Sequence, residues 1–254
     1  MAETANAEDW HRRGFELFGR YTLRFVALIG SLDDAQATAR VPGLDWTAAE
    51  TAAHVCSLYR RLAVDPRRAP DQGALRRQNA DDITVIGTDL GAIAHEIEAR
   101  LAAAERLVDA LPPEDEFEFH LGQKVTLASG MGVLVGELLV HGDDIVRATG
   151  AGWEPLGADL EIVWRVTLPV LTGWLRPAAR ELDEAWELRF PWKSGPVLLR
   201  LDDGRVAIDK PLARPPDHVV DIDDAVEFTL AFPYGRRPVA EPAVARLASM
   251  FDPV

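Results

Sequence analysis

Residues 136–145 read GELLVHGDDI, a stretch that sets an acid, Glu137, four positions before a histidine, His141, among apolar and small residues. Positions four apart stack on one face of a helix, roughly 5 to 6 Å apart at Cβ, so the two side chains can converge on one point. Leu134, Leu138, His141 and Ile145 share that face, and the run ends at Gly150, a residue type that commonly stops helices. Ser129 is placed to cap its start. The stretch is read as a helix whose apolar face carries an acid and a histidine.

Upstream, three more helices are predicted. Trp10, Phe18, Tyr21, Phe25, Leu28 and Leu32 recur at helical spacing, which gives a first helix through Leu32. WTAAETAAHVCSLYRRL, residues 46–62, opens with Thr47 and Glu50 in the S/T-x-x-E arrangement that satisfies free N–H groups at a helix start. Between Asp89 and Leu111, an unbroken stripe of Leu90, Ile93, Ile97, Leu101, Ala104 and Leu107 forms a third helix, stopped by Pro112 and Pro113. The acidic EFEFHLGQ, residues 116–123, is read as irregular. Four helices of such length suggest a bundle.

The pattern changes after residue 150. A fifth helix is expected from about Gly157 to Leu175, kinked at Pro169. AWELRF (185–190), VLLRL (197–201), RVAI (205–208) and HVVDI (218–222) read as strands, the middle two joined through the turn DDG as a hairpin. Asp223 or Asp224 can cap a helix through Phe232, and Pro242 to Phe251 can form a last one. The expected organisation is a helical bundle over 1–153 followed by an α+β domain over 154–254, with the boundary near GAGWEPLG, residues 150–157.

Composition narrows the function. A formal net charge of -14 argues against nucleic acid and anionic membrane as partners, both of which reward clustered Lys and Arg. No apolar run approaches the roughly 20 residues of a membrane span, and MAETANAEDWHRRG lacks the basic-then-apolar order of a secretion signal. A soluble, cytoplasmic protein acting on a small molecule, as monomer or homodimer, is expected. The lone cysteine, Cys56, excludes an internal disulfide or a cysteine-rich metal site.

Two readings of Glu137 and His141 stand side by side. They can hydrogen-bond each other on a helix surface, or they can be two ligands of a divalent ion completed by a third residue. His54 is the candidate third ligand, because its helix can meet the 137–141 helix in a bundle; its other reading is a satisfied core histidine. His11 and His95 have charged neighbours, His120 lies in the irregular segment, and His218 begins a strand.

LDWTAAETAAHV and GELLVHGDDIVRATG resemble the second-helix start and fourth-helix signature of the mycothiol-dependent maleylpyruvate isomerase family, in the DinB-like superfamily. Asn79, LGQKVTL and the ending DDAVEFTLAFPYGRRP fit the same pattern. The resemblance implies a DinB-like metal-binding four-helix bundle followed by a smaller, sterol-carrier-like α/β domain, with His54, Glu137 and His141 as metal ligands. It further implies a divalent metal such as zinc, mycothiol as thiol cosubstrate, and Arg236 or Arg237 as a clamp for a substrate carboxylate. Asp144 matches the aspartate of the family's HGxD pattern and can hold a ligand histidine by its second ring nitrogen, while Asp143 stands where the family often has an aromatic residue. The implied activity is thiol-dependent isomerisation or S-transfer on a small carboxylate-bearing electrophile. Two rivals come from other classes: a non-catalytic small-ligand-binding protein with a structural or degenerate metal site, and a regulator that docks partners through an apolar patch.

Overall fold

The structure, a computed structural model, describes residues 2–63, 65, 67–112, 114–192, 194–208 and 214–252. Pro113, expected to help stop the third helix, lies outside them. The chain divides into two compact units, Met1–Glu154 and Pro155–Val254.

The first unit is helical. Helix α1, Ala2–Gly30, buries Phe18, Tyr21, Phe25, Leu28 and Ile29, whereas Leu32 lies past its end and is half-buried. A short α2, Asp34–Ala37, follows. Helix α3, Ala48–Ala63, begins with the predicted reciprocal cap: Glu50 N–H donates to Thr47 Oγ1 at 3.2 Å, and Thr47 N–H to Glu50 Oε2 at 2.7 Å. Helix α4, Gln72–Ile86, was not predicted, because its burial is confined to Gln78, Asp82 and Ile83 and leaves no apolar stripe to read. Helix α5, Leu90–Ala110, is capped by Asp89 and buries Ile93, Ile97, Leu101 and Ala104.

The segment read as irregular contains a hairpin instead. Strand β1, Glu116–Glu118, pairs antiparallel with β2, Lys124–Thr126. Its alternating EFE puts Phe117 against the next helix, where a Cβ on Gly130 would come within 2.8 Å of the ring. That helix, α6, runs Leu127–Thr149 and ends at Gly150 in the left-handed conformation (φ 73°). Its cap is Thr126, whose Oγ1 accepts from Ser129 N–H at 3.2 Å; Ser129, the expected cap, is already inside the first turn. Helices α1, α3, α5 and α6 pack on one another, and α4 adds to α3. Each large side chain buried between them contributes about 1.5–3 kcal/mol.

The second unit is smaller and contains a sheet. The expected fifth helix is a chain of unlike turns: 3₁₀ at Gly157–Leu160, π at Val163–Thr167 and 3₁₀ at Leu168–Trp174. Leu168 N–H reaches back five residues to Val163, and Pro169 has no N–H with which to resume an α ladder. Strands β3 (Glu184–Arg189), β4 (Val197–Asp202), β5 (Arg205–Ile208) and β6 (His218–Asp221) form a sheet in the order β5-β4-β3-β6. Only β3 and β6 run parallel. Asp203 (φ 49°) and Gly204 (φ 69°) supply the two left-handed positions of a tight β4–β5 hairpin turn. Along β4, Val197, Leu199 and Leu201 alternate inward. Asp224 caps α7, Ala225–Ala231, and Glu241 caps α8, Pro242–Ser249. No helix among the described residues is long and apolar enough to cross a membrane.

Candidate metal centre

Helix α3 presents His54 and helix α6 presents Glu137 and His141, all within the first unit. The two histidines are buried, and the Glu137 side chain keeps 20% of its exposure, so the acid is the solvent-facing member. Glu137 Oε2 lies 3.2 Å from His141 Nε2 and 3.7 Å from His54 Nε2. The imidazole rings meet edge to face, with centroids 4.9 Å apart.

These separations fit a common ion. In a tetrahedral zinc site with bonds of about 2.1 Å, neighbouring ligand atoms are about 3.4 Å apart, and 3.2 and 3.7 Å bracket that edge. Among the described residues, this is the one group of three or more His, Cys, Asp or Glu side chains whose ligand atoms all fall within 4.8 Å of one another. Two imidazoles and a carboxylate are donors that zinc accepts, and three protein ligands leave a tetrahedral ion one further position.

The electrostatics of the metal-free trio are unequal. Burial raises a carboxylate, yet the hydrogen bonds with His141 and His54 outweigh it and hold Glu137 well below the usual carboxylate range. Burial alone would lower His141, but hydrogen bonds to Asp144 and Glu137 override it and push it up to about 9. His54 is pushed down by burial, with Glu137 opposing and the charges of His141 and Arg61 adding to the fall. Metal-free at neutral pH, His141 is the cation of the cluster and His54 is neutral.

Asp144, fully buried one turn after His141, accepts from its Nδ1 at 3.0 Å. That contact fixes which ring nitrogen faces Glu137. Gly142, between them in sequence, is required by packing: a Cβ there would overlap the indole of Trp153. The predicted arginines belong to the second unit. In the turn after α7, Arg236 donates through Nη1 to Tyr234 O at 2.8 Å, and Arg237 pairs with Glu227 at 3.1 Å.

Several groups here escape spacing arguments. Trp46, just before the α3 cap, lies over His54 with ring centroids 4.9 Å apart. Arg61, two turns beyond His54 on α3, is buried and donates to Asp82 at 2.6 Å and Asn79 at 2.7 Å. His120, in the hairpin loop, is buried and accepts from Ala69 N–H at 2.9 Å; burial, then Arg61 and Arg68, push it down to about 4. For Arg61 and His120 the only sequence signal was polarity next to a helix end or inside a loop, which solvated residues share, and Trp46 is an aromatic residue outside any periodic run.

Comparison with known proteins agrees with this architecture. The family profile described as "Mycothiol maleylpyruvate isomerase N-terminal domain" matches residues 18–146, a span that holds His54, Glu137 and His141. A crystal structure of the mycothiol-dependent maleylpyruvate isomerase superimposes with a TM-score of 0.55, at 18% identity over 89% of this chain and 90% of that one. A histidine-to-alanine mutant of that isomerase gives 0.53 at the same identity and coverage. At such identity the likeness shows the fold: a helical N-terminal region with a smaller, sheet-containing C-terminal region. No curated protein gives a significant match. Because the profile spans just over half of the 254 residues, the chain belongs to the mycothiol maleylpyruvate isomerase family.

Proposed function

We propose that His54, Glu137 and His141 hold one divalent ion, best matched by zinc, and that the protein is a thiol-dependent enzyme. With mycothiol as cosubstrate, it isomerises a small carboxylate-bearing electrophile or transfers the thiol sulfur to it. The observation that carries the reading is the convergence of two imidazole nitrogens and one carboxylate oxygen at near-tetrahedral spacing. A divalent ion bound there supplies positive charge that favours a thiolate and polarises a carbonyl.

The chain's own groups do the rest. Asp144 accepts the hydrogen bond of His141 Nδ1–H, which keeps the proton on Nδ1 and leaves the Nε2 lone pair for the ion. Glu137 contributes the one formal negative charge of the trio, so a doubly charged ion keeps net positive charge for its substrate. Arg236 or Arg237 binds the carboxylate, for which a guanidinium offers paired donors. In an isomerisation the sulfur adds to a conjugated double bond, rotation follows about the new single bond, and the sulfur leaves with the geometry changed. The single buried Cys56 suits a reducing compartment, and a cytoplasmic location goes with this reading.

Metal analysis of the purified protein, combined with thiol-dependent turnover of a panel of conjugated acids, tests the proposal. About one zinc per chain is expected. Glu137→Ala loses metal and turnover together, while Arg236→Ala and Arg237→Ala keep the metal and at least one of them weakens use of acidic substrates. A Glu137→Ala protein with unchanged zinc and turnover overturns the reading.

A further inference from the structure

The two histidines of the centre are held by different means. His141 has a buried carboxylate on its outer nitrogen, but His54 Nδ1 is buried with no hydrogen-bond partner. An imidazole that offers Nε2 to an ion carries its proton on Nδ1, and that proton normally orients the ring by binding an acceptor. His54 has lost this restraint. What touches it instead is Trp46, whose ring is tilted 36° to the imidazole at a centroid distance of 4.9 Å. The same indole reaches His141 at 6.5 Å, so one aromatic side chain spans the ligand pair.

We infer that Trp46 is the positioning residue of the metal centre: its indole fixes the plane of the His54 ring by tilted ring-on-ring packing, in place of the missing acceptor. The backbone supports this assignment. Trp46 directly precedes Thr47, whose reciprocal bonds with Glu50 set the α3 start, and Trp46 O accepts from Val41 N–H at 2.9 Å. The loop that delivers the indole is thus tied on both sides, and α3 delivers His54 two turns later. The inference rests on the metal reading given under Proposed function, but it concerns a different residue and a different interaction.

The test is zinc affinity, measured by chelator competition on the full-length wild type, Trp46→Ala and Trp46→Phe. Trp46→Ala is expected to bind zinc about 3- to 10-fold more weakly, the range of one aromatic contact, and Trp46→Phe to recover most of it. A second readout is independent of metal. In the metal-free proteins, the His54 ¹⁵N imidazole signals should broaden or split in Trp46→Ala and sharpen again in Trp46→Phe, with those of His141 unchanged. Equal zinc affinity and equal His54 signals in wild type and Trp46→Ala overturn the role. If the wild type binds no zinc, the metal reading fails, and the imidazole signals alone decide whether Trp46 orders His54.

Discussion

The α6 side of the proposed metal centre is built from charge and the α3 side from packing. On α6, His141 sits between two carboxylates on its own helix, Glu137 one turn before and Asp144 one turn after. On α3, His54 has an indole across its face, no partner on Nδ1, and the charge of Arg61 two turns on. The same ring is therefore basic on one helix and weakly basic on the other. Burial is common to both, so the difference comes from neighbours, and ligand strength within one site can be set residue by residue.

The comparison breaks most visibly at Asp144. Asp144→Ala should cost roughly 10- to 100-fold in zinc affinity, as loss of an outer carboxylate on a ligand histidine does, and should lower the His141 pKa. Chelator competition and histidine NMR titration check both, and an affinity within twofold of wild type would show that the charge on this side is incidental.

The next effect is in pH. The folded pKa of His141 lies above the unfolded value of about 6.5, so in the metal-free chain its contribution to stability is complete below pH 6.5 and is lost as pH rises through about 9. Zinc must displace that proton, and apparent affinity should therefore climb about tenfold per pH unit between pH 7 and 8.5. His54, already neutral there, adds nothing to the slope. Calorimetry in buffers of different ionisation enthalpy should find close to one proton released at pH 7.5; two would mean that the histidines are alike.

The smallest effect sharpens the packing side. Thr47→Ala removes the side-chain acceptor at the α3 start and should cost about 1 kcal/mol of stability, seen as a small drop in the urea midpoint. Zinc affinity should fall less than threefold, because Trp46 and His54 remain. A larger loss would locate the order of this side in the cap and not in the stack.

Much of the helical unit was legible because its signals are periodic. The Glu137 and His141 pair came from helical spacing, and the Thr47 and Glu50 box located the start of α3. His54 needed more than pattern, since a lone histidine on an apolar face reads equally as core; two helices had to be brought together, which the bundle reading proposed and the family resemblance reinforced. Trp46 was illegible because it acts from a loop, where no period connects residue 46 to residue 54. The β1–β2 hairpin was hidden by its brevity, three residues a strand, although the alternation in EFE was its trace. The 157–174 segment misled for a different reason: its apolar residues are buried on several sides, and such a run looks helical whether its turns are α, π or 3₁₀.

Trp153 carries a consequence for where the helical unit ends. The polypeptide leaves α6 at Gly150, and by helix boundaries alone the unit would be complete there. Yet Trp153 returns to lie on Gly142, with Tyr21, Phe25 and the Arg24 guanidinium around its ring. Arg24 also holds the Glu154 carbonyl at 2.7 Å. What reads as the start of a connector is thus a plug. Cut away at residue 150, the chain would lose the indole that covers Gly142 and the carbonyl that Arg24 holds, so the helical unit runs through Trp153 and Glu154 and not only to the end of α6.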